Sequence, residues 1–183
     1  MAAPRLSLLL LALLGSAQAR EVPPAAYQQI ARQAGVPTEV LYAVALQESA
    51  LPLRGQLRPW PWTLNVAGRP LRFANQTAAC HALYRALATT PATRIDIGLA
   101  QINWGYHHQR FTSPCAALQP IRNLRVAAQL LREQHRRSGD WLQAAGHYHR
   151  PAGGAPAARY RQGVARHLAR LQFPLHPATE ARP

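Results

Sequence analysis

The chain has 183 residues with 21 basic and seven acidic side chains, a formal net charge of +14 and a pI near 11.5. That length suits one domain with a real core and leaves too little for two. Every basic residue is arginine, scattered among abundant alanine, leucine and proline. The charge therefore implies attraction to polyanions in general, the cell envelope included, and does not by itself mark a specific nucleic-acid surface.

Arg5, the apolar stretch Leu6 to Leu14 and the small residues around Ala17-Gln18-Ala19 follow the n-region, h-region and cleavage-site order of a secretory signal peptide. The expectation is a signal peptide over 1–19 and an exported domain over 20–183, periplasmic or secreted. No segment has the length of a transmembrane span. Export gives the two cysteines a meaning, since an even pair in an oxidising compartment favours a Cys80–Cys115 disulfide over two free thiols. They do not form a zinc ligand set, and the histidine pairs His107/His108 and His147/His149 lack both HExxH spacing and a companion carboxylate, so no metal is expected.

Pro24 to Ala34 predicts a short helix with Tyr27, Ile30, Ala31 and Ala34 inward, stopped by Gly35. A second helix restarts at Pro37 or Thr38, with Glu39 favourable to its dipole, and ends around Ser49 before Pro52. Its last turn carries Glu48 behind an apolar run. Apolar neighbours and the negative helix end both disfavour the charged carboxylate, and a raised pKa is what a general acid needs at neutral pH. From Trp60 to Val66 and again from Leu71 to Phe73 the pattern predicts a small β-hairpin or strand pair, with Ala67-Gly68-Arg69-Pro70 between them. Thr77 to Thr89 returns to helical spacing through Cys80, Leu83, Tyr84 and Leu87.

Gly98 is expected to open a turn into a short helix through Ile102, followed by an irregular stretch from Trp104 to Pro120. Asn123 then reads as the cap of a helix with Leu124, Ala127, Ala128, Leu131 and His135 inward, and Asp140 as the cap of the next, Trp141 to Tyr148. After a Gly/Pro break, Tyr160, Val164, Leu168 and Leu171 form the stripe of a last helix. The ends, 20–23 and 174–183, read as tails. The fold class is α+β, predominantly α-helical, with a small β-hairpin element.

Gln47-Glu48-Ser49, then Gly98-Leu99-Ala100-Gln101-Ile102-Asn103, then Tyr148 resemble, in order, the three motifs of the soluble lytic transglycosylase domain family over about residues 24–172. The Trp60 to Asn65 segment is similar to members carried by conjugative and integrative elements. The resemblance implies a lysozyme-like fold and cleavage of the MurNAc-GlcNAc β-1,4 bond of peptidoglycan with formation of 1,6-anhydromuramoyl ends. It also implies glycan strands as partner and a transfer or secretion machine as recruiter, with no cofactor and no specific nucleic acid.

Carried over by position, Glu48 is the acid and then the base, and Tyr148 orients it. Ser49, Gly98, Gln101 and Asn103 serve the substrate. The third motif departs from the family's Tyr-Asn-Ala-Gly, reading Tyr148-His149-Arg150-Pro151, which places the neighbouring substrate contacts in question. The carboxylate inventory agrees with a single acid: Glu21 and Glu180 lie in tails, Glu39 starts a helix, Glu133 sits on a solvated face and Asp140 is a cap. Asp96 is the one candidate for a second carboxylate, and with it a hydrolytic lysozyme is the alternative. A third reading, from another class, is an inactive glycan-binding or assembly module. Trp60, Trp62, Trp104 and Tyr106 read as core or sheet residues of which one or two line a sugar cleft.

Overall fold

In the computed structural model, which describes residues 21–171, the apolar run Val40 to Leu46 is enclosed on every side. It forms most of α2 (Thr38–Ser49), and a helix apolar all round belongs at the centre of a domain. Around it pack α1 (Ala25–Ala34), α5 (Pro120–Ser138), α6 (Trp141–His149) and α7 (Gly154–Arg170). Gly35, left-handed at φ 64°, ends α1 as expected, and Asp140 caps α6 by accepting from the Gln143 backbone N–H at 2.7 Å. The α7 stripe of Tyr160, Val164, Leu168 and Leu171 is buried, as its period requires. The chain is predominantly helical with small antiparallel sheets, as its residue pattern predicts.

The β structure exceeds the expected hairpin. That hairpin is present as β3 (Thr63–Val66) and β4 (Arg69–Arg72), joined through Ala67 and Gly68, both at positive φ. β5 (Ile95–Ile97) and β6 (Ile102–Asn103) extend it to a four-stranded sheet in the order β4-β3-β5-β6. A separate hairpin, β1 (Ala50–Leu53) with β2 (Gln56–Pro59), follows α2 directly, and Arg54-Gly55 makes its two-residue turn. The short helix expected over Gly98 to Ile102 is a tight turn leading into β6. The helix comes later, as α4 (Trp104–His107), in a stretch that is otherwise short 3-10 turns rather than irregular chain.

A second core lies under the four-stranded sheet, where Leu64, Ile95 and Ile97 meet Leu83 of α3 (Gln76–Thr89) and Leu118. Cys80 of α3 and Cys115 form the expected disulfide, with Cα atoms 5.3 Å apart. On the chain-entropy model a 35-residue separation stabilises the fold by about 4 kcal/mol. Tyr84, expected inward, is 53% exposed, because the buried face of α3 runs through Ala79, Ala82 and Leu83 instead.

One acidic residue also differs from expectation. Glu21 is no loose tail: it accepts from Tyr42 Oη at 3.0 Å and pairs with Arg58 and Arg170. Glu133 receives two bonds from Arg110, both 3.0 Å. His135 is half-buried and stacks on Trp141. No helix among the described residues is long and apolar enough to cross a membrane. The expected signal peptide, 1–19, and the tail from 174 onward lie outside the described residues.

Candidate active site

Glu48 stands one residue before the end of α2, whose chain turns at Ala50 straight into β1. The residue keeps some exposed surface, but its carboxylate is surrounded by protein. Burial is the main cause that pushes its pKa up, to about 8. Two neighbours modify that. A hydrogen bond donated by Tyr160 Oη to Glu48 Oε1, at 2.7 Å, favours the ionised form, and the negative charge of Asp96 disfavours it. A carboxyl group that stays protonated through neutral pH, on a residue that keeps some exposed surface, is equipped to donate a proton.

Tyr160 corrects the expectation for Tyr148. Tyr148 Oη donates to the backbone oxygen of Ala100 at 2.6 Å, so its one proton is committed to the turn and not to Glu48. The phenol near Glu48 comes from α7, a helix outside the three motifs. Gly163, one turn after Tyr160, explains how it arrives. A Cβ there would stand 2.7 Å from Gln47 Cδ, so glycine lets α7 close on the end of α2. Sequence reading placed Tyr160 in an apolar stripe; the signal it missed is the glycine three residues on, opposite a helix that carries an acid. His149, next to Tyr148, stacks on the Tyr160 ring with centroids 4.5 Å apart and planes at 8°.

The Gly98 segment is mainly scaffold. Gly98 has φ 82°, and a Cβ there would lie 2.5 Å from Asn123 Nδ2 and 3.1 Å from Ala117 O. Asn123 is therefore no helix cap. It lies inside α5, fully buried, and donates to Ile97 O (2.8 Å) and Ala117 O (2.9 Å) while accepting from Ala100 N (2.9 Å). These bonds satisfy backbone groups that the turn leaves open. Sequence reading saw only a helix start, because Pro120 had not been recognised as the first residue.

Ser49 is likewise turned inward. It is 1% exposed and bonds Leu99 O at 2.7 Å and Ala45 O at 3.2 Å, so it steadies the site and is closed to a substrate. Asn103 has spent its amide. Nδ2 donates to Thr93 O (2.9 Å) and Asp96 Oδ1 (2.8 Å), and Oδ1 accepts from Tyr106 N to cap α4. Gln101 differs. It is held left-handed at φ 46°, a strained conformation for a side-chain-bearing residue, with Nε2 bonded to Gly98 O at 2.8 Å. No bond to its Oε1 occurs among the described residues, so that oxygen is a side-chain acceptor left for a ligand.

Glu48, Tyr148, Tyr160 and Asp96 thus form one group, brought together by α2, α6, α7 and β5. Burial raises both tyrosines well above their ordinary value, and the charge of Glu48 adds to it. Both phenols are neutral donors at physiological pH. Among the described residues no cluster of histidine, cysteine or carboxylate could hold a metal ion. Compared with known proteins, the chain matches no family model, no curated protein and no solved structure.

Proposed function

We propose that the protein is a peptidoglycan lytic transglycosylase with Glu48 as its acid and base. The observation that carries this reading is Glu48 itself, a buried carboxyl group on a partly exposed residue, with a pKa of about 8 and a hydrogen bond accepted from the Tyr160 hydroxyl. In the first step Glu48 gives its proton to the glycosidic oxygen as the C1–O bond breaks. The substrate's own N-acetyl oxygen supports the positive anomeric carbon. In the second step the Glu48 carboxylate takes the proton of the muramoyl 6-hydroxyl, whose oxygen closes on C1 as the anhydro ring forms. Glu48 ends protonated, as it began, and no water is consumed. Intramolecular attack is favoured because the nucleophile is already held beside the reacting carbon.

Tyr160 serves the first step, since its bond stabilises the carboxylate that forms as the proton leaves Glu48. Gln101 Oε1 is the acceptor offered to a sugar hydroxyl or acetamido N–H. The proposed setting is the periplasm, where local opening of murein would serve a transfer or secretion apparatus.

Asp96 supports a second reading, a hydrolytic lysozyme, because its charge reaches Glu48 and a hydrolase needs a second carboxylate. Mass spectrometry of muropeptides released from purified sacculi separates the two. Anhydromuramoyl ends are expected. Reducing ends would establish the lysozyme, and absence of any product would leave a glycan-binding module.

A further inference from the structure

Tyr148 and His149 are the last two residues of α6, and they grip the site at different points. Successive side chains on a helix point about 100° apart, so the pair reaches two separate partners. Tyr148 bonds the Gly98 turn through Ala100 O, whereas the His149 imidazole lies flat against the Tyr160 ring, with centroids 4.5 Å apart and planes at 8°. The imidazole makes no hydrogen bond among the described residues, so the phenol ring is its partner. Burial and the positive charge of Arg150 lower its pKa, and it meets Tyr160 as a neutral ring at physiological pH. His149 is exposed while Tyr160 is only 6% exposed, so the imidazole stands between the phenol ring and solvent.

The two rings meet at a fixed spacing because α6 and α7 are locked together. A Cβ at Gly146 would stand 2.9 Å from Arg161 Cγ, so the helices touch there, and Arg161 donates to Gln143 Oε1. Gly163 lets α7 reach the end of α2 but offers no side chain of its own to steady the phenol. The Tyr160 hydroxyl sits at the far end of its ring, so a swing of about 10–20° is enough to spoil its bond to Glu48. We infer that His149 is a positioning residue for Tyr160: stacked flat on the phenol ring, it holds the hydroxyl against Glu48 and keeps solvent from that face. Its consequence for the reaction rests on the transglycosylase reading, in which the Tyr160 bond stabilises the carboxylate that forms as the glycosidic oxygen takes the proton. An aromatic stack between two rigid helices holds that geometry before the substrate arrives.

The test is His149→Ala in the exported protein, which removes the flat ring from an exposed position at a helix end. The kcat is expected to fall about tenfold, the lower end of what losing the whole bond to Glu48 costs, with KM little changed because Tyr160 bonds the acid. His149→Phe, flat and uncharged, should restore kcat to within about threefold of wild type, since it keeps an aromatic stack. In a Tyr160→Phe background, which has no hydroxyl to hold, His149→Ala should cost less than about twofold, the ordinary scatter of additive changes. Wild-type kcat in His149→Ala, no recovery in His149→Phe, or an equal loss with and without the Tyr160 hydroxyl would each overturn the inference.

A second measurement does not depend on cleavage. A phenol proton bonded to a buried carboxyl group exchanges slowly with water, so proton NMR should show the Tyr160 hydroxyl signal in the unsubstituted protein and in His149→Phe. In His149→Ala faster exchange should remove it. A signal equally protected in all three, or absent from the unsubstituted protein, overturns the inference even where activity is present. Loss of the signal in His149→Ala alone, in a protein that releases no muropeptide, would instead retain His149 as the support of Tyr160 and defeat the transglycosylase reading.

Discussion

Replacing Glu48 by glutamine removes an ionisable group whose protonation is tied to folding, so its effect on stability must depend on pH. Glu48 titrates near 8 in the folded protein and near its ordinary 4.5 in the unfolded chain. Below about 4.5 both states are protonated and the residue adds no pH dependence. Between the two values the unfolded state has lost the proton that the folded state still holds, so stability falls as pH rises. Above about 8 both are ionised and the loss is complete. A separation of 8 minus 4.5 corresponds to up to about 5 kcal/mol, a third or more of a typical domain's stability. Glutamine keeps the shape, accepts the Tyr160 bond and does not titrate. Urea unfolding of both proteins from pH 4 to pH 9 should give curves that separate through this window, with Glu48→Gln the more stable on the alkaline side. In thermal unfolding that gap is roughly 10–20 °C for a chain of this size. Titrating groups that do not interact with Glu48 cancel in the difference. Parallel curves would show that Glu48 is not held protonated by the fold, and the acid role proposed for it would fall.

Two further substitutions probe the neighbours. Tyr160→Phe removes a donor that favours ionised Glu48, so the high-pH limb of the rate profile should move upward. A bond to a charged acceptor is worth about 1.5–3 kcal/mol, so kcat should fall about ten- to a hundredfold, whereas full activity would make Tyr160 a packing residue. Gly98→Ala forces a Cβ into a left-handed position 2.5 Å from Asn123 Nδ2, straining the turn and displacing Asn123 from buried carbonyls. The expected destabilisation is about 3 kcal/mol or more, read as a drop in Tm of roughly 10 °C, and a Tm within a degree or two of wild type would contradict the packing described.

The helical frame was legible because its signals are local. Gly35, Asp140 and the periods of α1, α5 and α7 each announce themselves within a few residues. The missing strands were not, since β5 and β6 have three and two residues and an alternation needs about four to be seen. The β1–β2 hairpin hid behind Pro52, which reads as a helix stop and is also a strand residue opposite Leu57. Glu48 could be found from its own helix, but its donor could not. Tyr160 lies 112 positions away on a helix whose period explains it fully as core.

Two motif residues and one expected helix cap misled in an instructive direction. Ser49, Tyr148 and Asn123 were given roles at the substrate, at the acid and at a helix end, yet all three bond the backbone between Ile97 and Ala100. That convergence fixes the Gly98 turn against α2, α5 and α6 at once. Ser49 adjoins Glu48, so the same bonds hold the end of α2 and with it the carboxylate. The acid then needs little further positioning, and what remains to be set is its proton affinity. Burial and the Asp96 charge raise that affinity while the Tyr160 hydroxyl lowers it. A balance near 8 suits a reaction in which one group first gives a proton and then takes one back, because neither form is then far out of reach at neutral pH. A carboxyl at its ordinary value would rarely hold the proton it must give. One buried without Tyr160 would give up its proton less readily in the first step.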